Sequence, residues 1–372
     1  MIIGKHRNTQ AIIDLDAIKV NIQNEIKQLK QAQSLFAVVK ADAYGHGLLP
    51  VAEAAKKAGA KGFCVAVIDE ALALRQAGFD DEILVLGVNP ASTAVLMAQN
   101  KITCTVGDYD FLIKAQLLLK EAKQKLLVHI ALDTGMGRIG FKTKAELKQV
   151  LMFMQNYPQQ FEFDGIFTHF ASADSEDETY YLQQLTKFNE LLSVITKKPR
   201  YIHVANSAAS LWHRKCGGNM IRFGIAMYGL NPNSKINTPF ELKPALSLVS
   251  ELAAVKKVTK GEAIGYGSTY RAKEDEWIGT VPIGYADGWL RRMQGFKVLV
   301  DGHYCEIVGR VCMDQMMIRL PKRYDLETRV TLIGEDHGNE VTAQDVADYA
   351  QTIHYEITCG LAPRVTRLYK SK

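Results

Sequence analysis

The sequence predicts an α/β protein in which a (β/α)₈ barrel of the TIM type is followed by a mostly β C-terminal domain. Its 372 residues favour two domains, at about 150 residues each. From residue 11 to about 240, short β-branched or apolar runs alternate with longer segments of helical period. Beyond residue 240 the pattern changes to long β-type runs separated by turn signals.

Eight apolar runs predict the strands of the barrel. They are SLFAVV at 34–39, FCVAV at 63–67, ILVLG at 83–87, ITCTV at 102–106, KLLVHIAL at 125–132, FEFDGIFTH at 161–169, YIHVAN at 201–206 and MIRFGI at 220–225. Helices are predicted between them, such as PVAEAAKKAGA and IDEALALRQAG, which end near Gly59 and Gly78. The earlier segment AIIDLDAIKVNIQNEIKQL reads as a strand leading into an amphipathic helix, which we expect to cover the barrel before its first strand.

The C-terminal part predicts a separate domain rich in strands. Its β-type runs include LSLVSELAAVKKV, EAIGYGSTYRA, EWIGTVPIGYADG and FKVLVDGHYCEIVGRV, and Asp301-Gly302 within the last run is a two-residue hairpin signal. Polar residues and two prolines in INTPFELKP interrupt the pattern near the boundary. We therefore expect a barrel over residues 13–239 and a β domain over residues 240–372, together with residues 1–12.

Composition and charge exclude several classes of protein. Hydrophobic residues make up 47% and charged residues 23%, which is ordinary for a packed globular chain and excludes a disordered or fibrous one. A net charge of +5 gives no support for nucleic-acid binding. The six scattered cysteines contain no Cys-x-x-Cys pair and predict neither a metal site nor a disulfide framework. With no signal peptide or membrane span in the sequence, the expected location is the cytoplasm.

Chemically capable side chains follow the predicted strands at the end of a barrel where active sites form. Lys40 follows the first strand, and an amine at the mouth of a hydrophobic barrel can act as a nucleophile toward a carbonyl, as Schiff-base lysines do. A lysine that merely extends from a strand end into water is the alternative. The other residues of this kind are Asp133, Arg138, His169, Asn206, Ser207, Arg222 and Gly224.

The loops after the seventh and eighth strands suit a phosphate group. They contain Asn206-Ser207 and Gly224-Ile225, which offer a hydroxyl and backbone N–H groups without using a cation. Arg222 is then available for another partner. A Schiff-base lysine together with a phosphate site suggests pyridoxal 5′-phosphate as the cofactor.

Several long motifs closely resemble those of the alanine racemase family, which is dependent on pyridoxal 5′-phosphate and has fold type III. They are AVVKADAYGHG at 37–47, LDTGMGRIGF at 132–141, THF at 168–170, ANS at 205–207, IRFGIAMYG at 221–229, GYGSTY at 265–270, GYADGW at 284–289 and GRVCMDQMM at 309–317. The resemblance extends along essentially the whole chain. It implies an amino-acid racemase that acts as a head-to-tail homodimer, with active sites that combine both chains, and that supplies D-alanine for peptidoglycan.

The resemblance also implies roles for individual residues. Lys40 is the lysine that binds the cofactor and one catalytic base, and Tyr266 is the opposing base, contributed by the partner chain. Arg222 faces the pyridine nitrogen and His169 supports it. The remaining residues bind the phosphate (Tyr44, Ser207, Gly224, Ile225 and Tyr355), bind the cofactor beside Ser207 (Asn206), contact the substrate carboxylate (Arg138, and Met313 of the other chain) or form the access corridor (Asp174, Tyr285, Arg310 and Ile353).

One position departs from the family pattern. Many members have a carbamylated lysine two residues before the Asp of DTGMGR, which fixes the substrate-binding arginine, whereas this chain has Ala131 there. We therefore expect Arg138 to be oriented by something else, either a bound anion such as chloride or a neighbouring carboxylate or amide.

Three other functions remain as alternatives. Ala131 changes one wall of the site, so a racemase for serine or for a broader set of amino acids is the second enzymatic hypothesis. A non-catalytic carrier of pyridoxal 5′-phosphate also uses a barrel lysine, but it has no need of a second domain bearing Tyr266. A dinucleotide site is weaker still, because the glycine-rich segments GYGSTY and GYADGW do not open a helix in a βαβ unit.

Overall fold

The computed structural model describes residues 2–30 and 32–371, which form two compact units. The barrel unit comprises the described residues of 17–43 and 48–243, and the β unit comprises those of 1–16, 44–47 and 244–372. In the described ranges, every helix is too short or too polar to cross a membrane.

The barrel unit confirms the predicted series of eight strands in the part of the chain that the structure describes. Numbering strands along the chain, β1 (Gln10–Asp14) belongs to the β unit, and the barrel strands follow it. They are β2 (Ser34–Val38), β3 (Gly62–Val65), β4 (Glu82–Val85), β5 (Ile102–Val106), β6 (Leu126–Ala131), β7 (Phe161–Phe167), β8 (Tyr201–His203) and β9 (Met220–Phe223). All pair in parallel, in the order β8-β7-β6-β5-β4-β3-β2-β9.

Asn219 links the two end strands of this sheet, β8 and β9. Its backbone N–H donates to the Ile202 carbonyl over 2.9 Å, and its side-chain oxygen accepts from the Ile202 N–H over 2.9 Å. The Arg222 N–H donates to the Ala205 carbonyl over 3.0 Å. These bonds bring the two edges together, so the eight strands form a nearly closed barrel with a buried apolar interior.

Helices connect the barrel strands, as the helical periods predict. The predicted ends at Gly59 and Gly78 are confirmed, because both glycines have positive φ just beyond a helix and the Phe79 N–H returns to the Leu74 carbonyl. Bounded as observed, the helices are α1 (Leu15–Gln28), α2 (Lys40–Tyr44), α3 (Leu48–Lys57), α4 (Ile68–Gln76), α5 (Ala94–Gln99), α6 (Tyr109–Ala122), α7 (Lys144–Asn156), α8 (Thr179–Leu192) and α9 (Ser207–Trp212).

The β unit is built mainly from antiparallel strands. They are β10 (Leu246–Glu251), β11 (Ala254–Val258), β12 (Ala263–Ile264), β13 (Tyr270–Arg271), β14 (Glu276–Val281), β15 (Lys297–Val300), β16 (His303–Glu306), β17 (Met316–Leu320), β18 (Arg329–Asp336), β19 (Asn339–Val341) and β20 (Thr366–Lys370). Two helices follow β19, namely α10 (Ala343–Tyr349) and α11 (His354–Cys359). The largest sheet has the order β16-β15-β18-β10-β1-β20, with β19 on β18.

Two features of this unit bear on the sequence predictions. Asp301 and Gly302 connect β15 and β16, both with positive φ, so the hairpin is confirmed. The predicted strand before the first helix exists as β1, and it pairs antiparallel with β10 and parallel with β20. Two smaller sheets, β11-β14-β17 and β12-β13, complete the unit.

Candidate active site

Lys40 begins α2, a single turn with an unusual backbone. Residues 41–44 all have φ between 52° and 54°, which is left-handed helical geometry in a segment without glycine. This geometry costs about 1–2 kcal/mol per L-residue. Two carboxylates stabilise the turn, because Glu70 accepts from the Ala41 N–H over 2.6 Å and Asp42 accepts from the Leu48 N–H over 2.7 Å. The half-buried Lys40 therefore leaves the end of β2 from a fixed backbone.

Arg222 on β9 is a buried polar group held by several hydrogen bonds at the barrel mouth. It is 3% exposed, and its Nη1 donates to His203 Nδ1 over 2.7 Å while its Nη2 lies 3.2 Å from His169 Nδ1. Nη2 also donates to the Thr168 carbonyl over 3.0 Å, and the guanidinium lies over the Phe167 ring. Burial lowers the pKa of Arg222 to about 10, so the guanidinium remains charged at neutral pH.

Three cations surround His169. Burial lowers the pKa of His169 well below its usual value, and the charges of Arg222, Arg138 and Lys40 lower it further. The imidazole is therefore neutral, and its Nδ1 accepts from Arg222. A concentration of positive charge beside a neutral imidazole favours an anionic ligand at this mouth of the barrel.

Ser207 and Gly224, two of the predicted phosphate ligands, are in contact. The Ser207 hydroxyl accepts from the Gly224 N–H over 2.9 Å, and the Ala226 N–H lies 3.4 Å from it. Ile225 follows Gly224 and is buried. The Asn206 side chain caps α9 by accepting from the Ala209 N–H over 2.9 Å, so its oxygen holds the helix.

The loop that bears Arg138 is organised by Asp133. The Asp133 carboxylate accepts from the N–H groups of Gly135 and Gly137, over 3.0 and 2.9 Å. Burial raises the pKa of Asp133, but these two bonds and the charge of Lys142 outweigh burial and hold it below its usual value. Arg138 is exposed at the end of this loop.

Ala131 is the last residue of β6 and directly precedes the loop that Asp133 organises. Ala131 is 1% exposed, and its carbonyl accepts from the Phe141 N–H over 3.0 Å. Asp174 is exposed in the loop after β7, where its carbonyl accepts from the Asn233 side chain over 2.7 Å.

The other predicted site residues belong to the β unit. The rings of Tyr44 and Tyr355 lie 6.1 Å apart, so these two predicted phosphate ligands are neighbours. Ile353 precedes α11 and is exposed. Tyr355 in that helix is half-buried.

Tyr266 occupies an exposed turn held against Arg310. Its side chain is 70% exposed, between Gly265 and Gly267, which have φ of 71° and 74°. A Cβ on Gly267 would lie 2.9 Å from Arg310 Nη1, so the guanidinium lies against this turn, and the positive φ favours glycine there. Two of the predicted site residues, Tyr266 and Arg310, are therefore neighbours.

Tyr285 and Met313 are held together by backbone hydrogen bonds. The Tyr285 N–H donates to the Cys312 carbonyl over 3.0 Å, and the Ala286 N–H donates to the Met313 carbonyl over 2.9 Å. Both predicted side chains are exposed. A Cβ on Gly284 would come within 2.3 Å of the Cys312 carbonyl oxygen, which explains the glycine.

Several buried polar residues of the barrel were not predicted from the sequence. His203, His129 and Asp164 form hydrogen bonds behind Arg222, and Gln184 on α8 links Thr134 with the carbonyl of His169 over 3.3 and 3.1 Å. The detectable signal was a polar residue within an otherwise apolar strand, as in KLLVHIAL, FEFDGIF and YIHVAN.

The residues present fit an anionic cofactor with a carbonyl group. Lys40, Arg138 and Arg222 supply positive charge around His169, and the Ser207 hydroxyl, whose oxygen accepts from the Gly224 N–H, has an O–H donor that suits an anion. In the parts of the chain described, no three His, Cys, Asp or Glu side chains are grouped as a metal site would need. The donor set matches pyridoxal 5′-phosphate, which presents an aldehyde, a phosphate and a pyridine nitrogen.

Comparisons with known proteins agree along the whole chain. The family models described as "Alanine racemase, N-terminal domain" and "Alanine racemase, C-terminal domain" match residues 13–232 and 245–369. Alanine racemase of Ligilactobacillus salivarius is 62% identical over 371 residues, with 100% of both chains covered. The crystal structure of alanine racemase from E. faecalis is 51% identical, with a TM-score of 0.97 and 100% of both chains covered. That of alanine racemase from Bacillus anthracis with bound L-Ala-P is 44% identical, with a TM-score of 0.95, and the match covers 98% of this chain and 95% of that one. The chain therefore belongs to the alanine racemase family.

Proposed function

We propose that the protein interconverts L-alanine and D-alanine with pyridoxal 5′-phosphate, and that it works in the cytoplasm as a homodimer that supplies D-alanine for peptidoglycan. The observation that carries the proposal is the arrangement of Lys40 and Arg222 about a neutral His169 at one mouth of the barrel. It combines a nucleophilic amine with a buried cation that can only donate hydrogen bonds.

The cofactor would be held by a covalent bond to a lysine amine and by hydrogen bonds to its phosphate. Lys40 would bind it covalently through the amine, and Ser207, Gly224, Ile225, Tyr44 and Tyr355 would hold its phosphate, with Asn206 beside Ser207. When bound, pyridoxal 5′-phosphate supplies an electron sink for the bonds at the substrate Cα. No metal has a role in this proposal.

Arg222 sets the electronic character of the site. Its guanidinium is charged and has only N–H donors, so it would donate a hydrogen bond to a pyridine nitrogen facing it and would leave that nitrogen without a proton. An unprotonated nitrogen would withdraw electron density less strongly than a protonated one. Proton exchange is thereby favoured over side reactions such as transamination.

Two bases on opposite faces perform the inversion. Lys40 exchanges the proton on one face of the substrate Cα, and Tyr266 of the partner subunit exchanges it on the other. The 70% exposed Tyr266, on a turn fixed by Gly267 and Arg310, is available to reach a second chain.

The remaining assignments concern the substrate. Arg138 and Met313 of the partner subunit would contact the substrate carboxylate, with Met313 using its backbone. Asp174, Tyr285, Arg310 and Ile353 would line the access corridor. In the absence of a lysine at Ala131, a bound anion such as chloride, or a nearby carboxylate or amide, would orient Arg138.

An absorption spectrum and an assay test the proposal together. The purified protein is expected to absorb visible light because of the cofactor on Lys40, and to produce D-alanine from L-alanine faster than D-serine from L-serine. A colourless protein without racemase activity after addition of pyridoxal 5′-phosphate would contradict the proposal. If the protein racemises serine faster than alanine, serine would replace alanine as the proposed substrate.

The role of Tyr266 has its own test. Tyr266→Phe removes the phenolic oxygen and keeps the ring, so cofactor binding is expected to persist while proton abstraction from L-alanine slows more than abstraction from D-alanine. Exchange of the Cα proton in deuterium oxide measures both steps. Equal slowing from both enantiomers would argue against a base specific to one face.

A further inference from the structure

Four buried side chains form a line behind the barrel mouth. Arg222 Nη1 lies 2.7 Å from His203 Nδ1, His203 Nε2 lies 2.8 Å from His129 Nδ1, and His129 Nε2 lies 3.4 Å from Asp164 Oδ2. His203 and His129 are 0% and 2% exposed. Because β7 separates β6 from β8, the contact between the two histidines lies inside the barrel.

The direction of this line follows from the chemistry of its first member. Arginine has only donors, so His203 Nδ1 must accept, and the proton of His203 is on Nε2. His203 Nε2 then donates to His129 Nδ1, which places the proton of His129 on Nε2, facing the Asp164 carboxylate. Burial and the charge of Arg222 lower the pKa of His203, and burial lowers that of His129, so both rings are neutral.

The backbone of β7 is adapted to this line. Its pairing with β6 shifts register between Val128 and His129, so that Phe163 and Gly165 have partners and Asp164 between them has none. Such a bulge re-aims a side chain. A Cβ on Gly165 would lie 2.5 Å from the His129 ring, so glycine leaves the space in which that ring crosses β7.

The line also relates the buried charge of Arg222 to a carboxylate. The groups that directly accept from Arg222 are carbonyls and neutral imidazoles. A buried cation with only neutral acceptors is costly. Asp164 is 4% exposed and ends the line with a carboxylate, so it can polarise both imidazoles toward Arg222.

We propose that Asp164 and His129 are positioning residues that act through His203 to fix the orientation and donor strength of Arg222. The effect of Arg222 on the pyridine nitrogen of the cofactor rests on the proposed function. The tautomers and the rigidity of Arg222 are properties of the chain itself. In this arrangement the carboxylate sets one proton position in each histidine, and the last histidine offers Arg222 a permanent acceptor.

The first test is the tautomeric state of the wild-type histidines. Protein labelled with ¹⁵N at its nine histidines is measured by NMR with and without added pyridoxal 5′-phosphate, and His129→Gln and His203→Gln assign the signals. We expect an unprotonated Nδ1 and a protonated Nε2 in both residues. A proton on Nδ1 of either residue, or a mixture of tautomers, would overturn the relay even if racemase activity is present.

The second test removes the carboxylate with Asp164→Asn. We expect mixed tautomers at His129 and His203, a shifted visible absorption band, and kcat lower by about tenfold with KM for alanine unchanged. Glu162→Gln, on the exposed face of the same strand, is the matched control and is expected to leave all three unchanged.

The outcomes separate the two proposals. An Asp164→Asn protein that folds with wild-type tautomers, band and kcat would overturn the inference, and the wild-type tautomers decide the matter if this variant does not fold. A wild-type protein with the expected tautomers but without cofactor absorbance or racemase activity would overturn only the proposed function.

Discussion

Lys40 extends from a turn whose geometry is unfavourable for ordinary residues. Four consecutive non-glycine residues with positive φ, 41–44, directly follow Lys40, and Glu70 and Asp42 accept N–H groups around them. Strained backbone of this kind persists where the surrounding structure over-determines it, and it is frequent at functional sites. The turn therefore supports Lys40 as a residue held in place for chemistry.

Replacement of this lysine tests its role directly. Lys40→Ala removes the amine, so visible absorbance after dialysis and racemase turnover are both expected to disappear. Lys61→Ala, an exposed lysine of the same unit, is the control and is expected to retain both. Retained colour and activity in Lys40→Ala would remove the assignment.

Glu25 on α1 links stability to pH. It is 1% exposed, and burial raises its pKa from 4.5 to about 7, against the opposing effects of Arg214 and Ser210. The folded state therefore favours the protonated form. The stabilising contribution of protonated Glu25 is complete below pH 4.5 and is lost as the pH rises through about 7. The loss amounts to about 3 kcal/mol in the free energy of unfolding.

Glu25→Gln is expected to remove this pH dependence. The free energy of unfolding in urea, measured between pH 5 and 8 at fixed protein concentration, should rise for the variant relative to wild type as the pH increases. Glu190→Gln, an exposed position on α8, provides the comparison. Parallel curves for wild type and Glu25→Gln would contradict the assignment.

At the scale of elements, a buried ion pair holds the turn that bears Tyr285. Asp287 is fully buried and accepts from Arg7 Nη2 and Nη1 over 2.6 and 3.0 Å, and from the Gly284 N–H over 2.9 Å. Arg364 Nε lies 3.0 Å from the same carboxylate. The turn is thus tied to segments near both ends of the chain, and it carries the backbone bonds to Cys312 and Met313.

Asp287→Ala is expected to destabilise the protein on the order of 3 kcal/mol, because it leaves two guanidinium groups without their shared carboxylate. The variant should also raise KM for alanine, since the Met313 segment loses its support. Asp314→Asn is the matched control, because Asp314 also binds Arg364 but is exposed, and surface pairs contribute about 0–1 kcal/mol. Equal urea denaturation midpoints for the two variants would contradict this role.

The barrel strands could be predicted from the sequence because each is a short, mostly apolar run that alternates with a segment of helical period. The sequence does not show which strands pair in a sheet, since β1 pairs with β20 from the opposite end of the chain. The left-handed turn at 41–44 could not be predicted, because it contains no glycine. The line from Arg222 to Asp164 depends on a register shift and on the space at Gly165, which only three-dimensional packing reveals.

If each active site joins Lys40 of one chain to Tyr266 of another, mixing two variants that are each defective at one of these residues restores activity. Lys40→Ala and Tyr266→Phe homodimers are mixed at equal concentration, unfolded and refolded together, and assayed for racemisation of alanine. Half of the resulting dimers should be mixed, and each mixed dimer has one site with both bases intact. We therefore expect about one quarter of wild-type activity. Activity no higher than that of the two separately refolded variants would contradict it.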